Sequence, residues 1–194
     1  MNWKTKKTEP QRFFFDLETL DTLPSATVLS FGIVPFQITA TDTFDELVSR
    51  GINVLLDKES QIKRGSTVSE STLDWWEQQD QSTREVLADG RIKIPDIIHI
   101  LADKFPDIVL GKALWYCRGP HFDAAIMDMA FERFNLVTPW SYNMLRDSRT
   151  WFDEYPGDWP EKPSNIIRHN SLHDCAYEVT AMQQNYQRKY GETQ

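Results

Sequence analysis

An α/β fold with one mixed central sheet flanked by helices is predicted by three features of the sequence. The N-terminal third is rich in strand formers: FFFDLETL, ATVLSFGIVPFQI and GINVLL are aromatic or β-branched and are separated by turn-rich or polar links. That pattern suits an antiparallel meander. From Ser69 onward helical stretches take over, and LWYC at 114–117 is a short apolar strand between two of them. Such alternation adds parallel strands to a sheet and places helices on its faces.

Taken in order, residues 11–16 read as the first strand, since a Phe-Phe-Phe run suits a strand buried on both faces. After DTLPSA, residues 26–38 form a long second strand, with Gly32 and Pro35 as irregularities, and 51–56 a third. The polar stretch DKESQIKRGSTV, 57–68, reads as a loop. SESTLDWWEQQ reads as a helix capped by Ser69 or Ser71, followed by a short helix over 82–88 that ends at Gly90. Ile94, Ile97, Ile98, Leu101 and Phe105 recur at helical spacing. Residues 122–134 and 173–189 read as further helices, with a mixed stretch over 142–152.

The 194 residues suit a single domain, 1–194, with 57–90 as an insertion or lid over one edge. There is no run of about 18 apolar residues, so no membrane span is expected. The basic N-terminus MNWKTKKTEPQR is not followed by an apolar segment, so no secretory signal is expected. Two cysteines, Cys117 and Cys175, are too few for a disulfide framework and point to a reducing cytoplasm. A net charge of −8 and a pI near 5.0 argue against a protein that coats polyanions by charge alone. An enzyme acting on a polyanion stays open, because metal ions and a local basic rim can do the binding.

The chemistry begins at FDLET. Asp16 and Glu18 are two apart on a strand, so they share a face at the end of an apolar run. Like charges that close repel, and burial increases the penalty. A divalent cation is the natural counter-charge. Asp123, in RGPHFDAAIM, opens a helix, where a single Asp also serves as an ordinary cap. In RHNSLHD, His169 stands before the C-terminal helix and Asp174 near its start, so the acid can face inward while the imidazole hangs from the preceding loop.

FDLET, HFDAAIM and a His followed at five positions by Asp, in this order, resemble the DnaQ-like 3′-5′ exonucleases of the DEDDh class. FDLETLDTLPSATVLSFGIVPF, RGSTVSESTLDWWEQQDQSTREVL and DSRTWFD extend the resemblance to the phage and prophage branch of that superfamily, over most of the chain. The resemblance implies an RNase H-like fold, two Mg²⁺ or Mn²⁺ ions, and exonuclease action on DNA or RNA 3′ ends, single-stranded or overhanging, in a bacterium or phage-infected host. It implies that Asp16 bridges both ions, that Glu18 and Asp174 hold the ion on the nucleophile side, and that Asp123 acts on the other through water. It makes His169 the general base and places Leu17, Thr19 and Leu20 against the terminal nucleotide. Ions about 3.5–4 Å apart would neutralise the phosphate and stabilise the leaving oxygen.

Other readings compete. His169, His173 and Cys175 have ligand-like spacing for zinc, but no second Cys or His pair accompanies them. Trp75 and Trp76 suggest base stacking, yet adjacent helical residues diverge by about 100°, so at least one packs inward. Lys58, Lys63, Arg64, Arg146, Arg149 and Arg168 are candidates for a phosphate-binding rim, Arg168 first because it adjoins His169. A nucleic-acid-binding domain of the same fold with little turnover, and a phosphohydrolase of small nucleotides, are the rival functions.

Overall fold

The computed structural model describes residues 11–88, 90–106 and 113–191, so the reading of the first ten residues lies outside the described residues. In chain order the elements are β1 Arg12–Thr19, β2 Val28–Phe36, α1 Phe44–Arg50, β3 Ile52–Leu55, α2 Lys58–Ile62, α3 Glu70–Glu77 and α4 Gln81–Arg84, which runs into a 3₁₀ turn at Glu85–Leu87. There follow α5 Asp96–Lys104, β4 Leu114–Cys117, α6 Asp123–Glu132, a 3₁₀ turn at Tyr142–Met144, β5 Leu145–Asp147, α7 Ser148–Glu154 and α8 Ser171–Tyr190. The sheet runs β3-β2-β1-β4-β5. Its first three strands pair antiparallel, while β4 and β5 join in parallel, as the mixed-sheet reading requires. Among the described residues no helix is long and apolar enough to cross a membrane.

The alternation along β1 sorts its side chains between two layers. Phe13, Phe15 and Leu17 enter a core with Trp115, Ile97 and Leu101 of α5, and Met127 and Phe131 of α6. Phe15 stacks on Trp140 with ring centroids 4.7 Å apart. Phe14 enters the opposite layer with Val34, Tyr116, and Val179 and Met182 of α8. Asp16 and Glu18 follow Phe14 in the same phase, so they face α8. A third, smaller cluster joins Leu20 and Leu29 to Trp76 of α3 and Val86.

Two links differ from the sequence reading. β2 and β3 are joined through α1, whose start is a capping box between Thr43 and Glu46. The stretch 57–68 is not all loop: Asp57 caps α2, and Gln61 is buried, donating to the Val28 carbonyl and accepting from its N–H. This helix has no apolar stripe to betray it; one buried amide that completes the β2 edge holds it in place.

Gly32 sets the height of α8. It pairs with Asp16 across the β1–β2 ladder, and a Cβ there would run into the backbone of Ser171 and Leu172. The missing side chain lets the first turn of α8 lie directly on the sheet. The Ser30 and Ser171 hydroxyls then hydrogen-bond, and the Cys175 thiol approaches the Gly32 carbonyl at 3.6 Å.

Candidate active site

Three segments deliver acids to one place. β1 carries Asp16 and Glu18 toward α8. The turn after β4, with Gly119 at φ 108°, leads into α6 and buries Asp123 in its first turn. The close approach of α8 at Gly32 brings in Asp174, one turn into a helix capped by Asn170, whose side chain accepts the His173 N–H at 3.2 Å. Asp16 feels Asp123, Glu18, Asp174 and Glu178, so the four predicted acids form one electrostatic cluster.

Burial is the main cause of their shared abnormality. It drives the Asp16 carboxyl far above the usual range, and the neighbouring acids push it further. Glu18 is raised likewise, by burial and then by Asp174 and Asp123. Burial raises Asp123 to about 7, against N–H groups of Asp123 and Leu17 and the charge of Arg149. Burial and Glu178 raise Asp174 to about 6, while Lys162, the His169 N–H and Arg168 pull the other way. Hard oxygen donors held together under mutual repulsion fit divalent cations such as Mg²⁺ or Mn²⁺. Among the described residues, Glu18, His169 and Asp174 each offer a ligand atom within 4.8 Å of the others.

His169 lies in the loop before α8 with φ 55°, a left-handed conformation uncommon outside glycine. Its Nδ1 is 3.8 Å from Glu18 Oε1. Burial, and then the Arg168 charge, lower its pKa. The Trp75 ring stands edge-on to it at 4.8 Å. The two tryptophans divide as helix geometry requires. Trp76 is buried and its Nε1 donates to the Thr19 carbonyl at 3.0 Å, clamping α3 onto the end of β1; Trp75 remains 39% exposed.

A cavity of about 400 Å³ opens on the Glu18 side, lined by Leu17, Thr19, Trp75 and Phe122 among others. Leu17 and Thr19 thus border it, whereas Leu20 packs under Trp76 and Val86. A second cavity, of about 480 Å³, opens beyond Asp16 and Asp174 and includes Arg118, Lys162 and Glu178. The sequence reading missed these three. Glu178 lies one helical turn after Asp174, a spacing that puts both on one face and was legible. It pairs with Arg118 and accepts from the Ser148 hydroxyl at 3.3 Å.

The zinc reading fails on orientation. His173 Nδ1 accepts the Ile167 N–H at 2.9 Å and its ring packs on Phe44, while Cys175 is buried under β2. Of the proposed rim, Lys63 pairs with Glu59, and Arg64 lies over Phe134. Lys58 donates to the Leu87 carbonyl, and Arg146 to the Asn143 and Leu145 carbonyls. Arg149 and Arg168 do reach the acids electrostatically, and Gly119 leaves the space that the Arg149 guanidinium fills.

Comparison with known proteins adds to this geometry. The sequence profile described as the 3′-5′ exoribonuclease Rv2179c-like domain matches residues 11–186. An exodeoxyribonuclease of Enterobacteria phage T4 is 29% identical over 199 residues, covering 88% of this chain and 86% of the phage protein. Among solved structures, the zinc-bound E. coli ExoI–ssDNA complex aligns with a TM-score of 0.59 at 14% identity, covering 95% of this chain. Exonuclease I from Methylocaldum szegediense gives 0.61 at 12% identity, covering 94%. The chain spans 42% and 41% of those two longer chains, and at such identity the likeness is one of fold.

Proposed function

The chain belongs to the Rv2179c-like 3′-5′ exoribonuclease family, a DnaQ-like exonuclease group, and from that premise we propose a metal-dependent enzyme that trims single-stranded 3′ ends of RNA or DNA to nucleoside 5′-monophosphates. The carrying observation is the convergence of Asp16, Glu18, Asp123 and Asp174 between two cavities, with His169 beside Glu18. The reading treats residues 1–194 as one exonuclease domain acting in a reducing cytoplasm, with 57–90 as its lid.

The four acids would hold Mg²⁺ or Mn²⁺. When bound, two such ions offset phosphate charge, acidify the attacking water and stabilise the departing oxygen. His169 would take a proton from the attacking water. Its lowered pKa keeps the imidazole neutral and ready to accept near pH 7, and the edge contact with Trp75 fixes the ring. The water oxygen bonds to phosphorus, the bond from phosphorus to the 3′ oxygen breaks, and the shortened strand leaves with a protonated 3′-hydroxyl. The Trp75 cavity takes the departing nucleotide: its volume suits one small ligand, and an exposed indole gives an unpaired base a stacking face. Leu17 and Thr19 border the sugar, and Arg168 adds positive charge beside His169.

The test is hydrolysis of 3′-labelled and 5′-labelled RNA and DNA strands with Mg²⁺ or Mn²⁺. Early release of the 3′ label as a mononucleotide, with a descending ladder from the 5′ label, is expected. Tight binding without turnover would favour the binding-domain reading, and hydrolysis of free nucleotides alone the phosphohydrolase reading.

A further inference from the structure

We propose that the second cavity is a subsite for the strand that remains after cleavage, in which Arg118 and Lys162 hold the phosphate one nucleotide upstream of the reacting bond and Trp159 walls its sugar and base. The proposal rests on the exonuclease reading. A strand whose last phosphodiester lies at the acid cluster has two sides. If the departing nucleotide occupies the Trp75 cavity, the upstream chain leaves past Asp16 and Asp174, and the space there is the second cavity.

That space is built differently from the first. Where the Trp75 cavity is bordered by Glu18 and by hydroxyl, aromatic and apolar groups, this one sets two cations, Arg118 and Lys162, beside Asp16 and Asp174. Arg118 follows directly on β4, and its guanidinium is held twice: it pairs with buried Glu178, and it lies over the Trp159 ring at 5.1 Å. Tyr177 stacks beneath Trp159 at 5.4 Å, and Phe152 packs against it at 4.8 Å. Trp159 still leaves 40% of its surface open. A guanidinium fixed in this way, lining the cavity with its side chain still 46% exposed, offers further N–H donors in a fork suited to phosphate oxygens. Lys162 is exposed, and its charge reaches Asp174. In a chain of net charge −8, two cations lining one cavity beside the acid cluster match a polyanion that continues beyond the reacting bond.

The proposal separates the effect of an upstream phosphate from that of the reacting one. A dinucleotide carrying a 5′-phosphate presents the extra group, and the same dinucleotide without it does not. Wild-type protein with Mn²⁺ is expected to prefer the phosphorylated form by about tenfold in kcat/KM, the scale of one charge-assisted hydrogen bond. In Lys162→Ala the ratio should fall toward one, mainly through KM; Trp159→Ala should weaken binding of a labelled hexanucleotide. A ratio retained in Lys162→Ala would overturn the proposal. Fluorescence anisotropy of the hexanucleotide in Ca²⁺ reads the subsite without turnover. Binding that weakens in Lys162→Ala supports the subsite even if wild type hydrolyses nothing, which would sink only the exonuclease reading. Equal affinity of wild type and Lys162→Ala overturns the subsite.

Discussion

Phe13–Phe15 and Asp16–Glu18 are successive halves of one strand, pressed into the same two layers. The first half is stabilised by its burial: none of its three phenyl rings is accessible to solvent, Phe13 and Phe15 packing with Trp115, Trp140 and Phe131, and Phe14 with Val34, Tyr116 and Val179 on the other face. The second half is burdened by its own: Asp16 and Glu18 face α8 with carboxyls that resist ionisation, because desolvation and then neighbouring acids, Asp123 and Asp174 among them, oppose the charge. Folding therefore holds the acid half in place with energy gained from the aromatic half. The difference shows that local burial does not measure local stability; the groups brought together do.

The largest way to break this contrast is Asp16→Asn. It removes a charge and keeps the shape, so turnover should drop by several orders of magnitude while circular dichroism stays native. His169→Ala should lower kcat by roughly 10²–10⁴-fold, the range for one general base, with Mn²⁺ affinity measured by calorimetry changed far less. On the aromatic half, Phe15→Ala should destabilise by about 3–5 kcal/mol in urea titration. Gly32→Ala joins the halves: its new methyl meets the Ser171–Leu172 backbone. It should destabilise by about 1–3 kcal/mol and also weaken Mn²⁺ binding, because α8 carries Asp174.

The smallest effect sharpens the sign. Asp123 and Asp174 are raised to about 7 and about 6 in the fold, from an ordinary 3.8. The folded state then holds more protons than the unfolded chain between about pH 4 and 7. Their contribution is complete below the unfolded range and is lost as pH rises through the folded values. In chelator, the melting temperature should fall from pH 5 to pH 8; a rise over that span would reverse the sign.

Much of this was legible in FDLET, HFD and HNSLHD, because strand period and helix starts fix where such acids point. The mixed sheet followed from apolar runs and their order. What stayed hidden depends on contacts distant in sequence. α2 is held by Gln61 reaching Val28, so its stretch DKESQIKRG carries no apolar period. α1 did carry a signal, the Thr43–Glu46 capping box, masked by the long strand-like run before it. Arg118 and Lys162 gain meaning only when the loop bearing Trp159 folds beside α8. The zinc-like spacing of His169, His173 and Cys175 misled because successive helical positions point different ways: His173 turns to Phe44 and Cys175 to Gly32.

The central claim is that the acid half of β1 is strained until divalent ions join it. Thermal melting of wild type and Asp16→Asn at pH 8, each in chelator and in excess Mn²⁺, tests it most directly. Wild type should melt lower than the variant in chelator and gain strongly with Mn²⁺, while the variant gains little. Equal melting of the two in chelator, with equal gains from the ion, would contradict it.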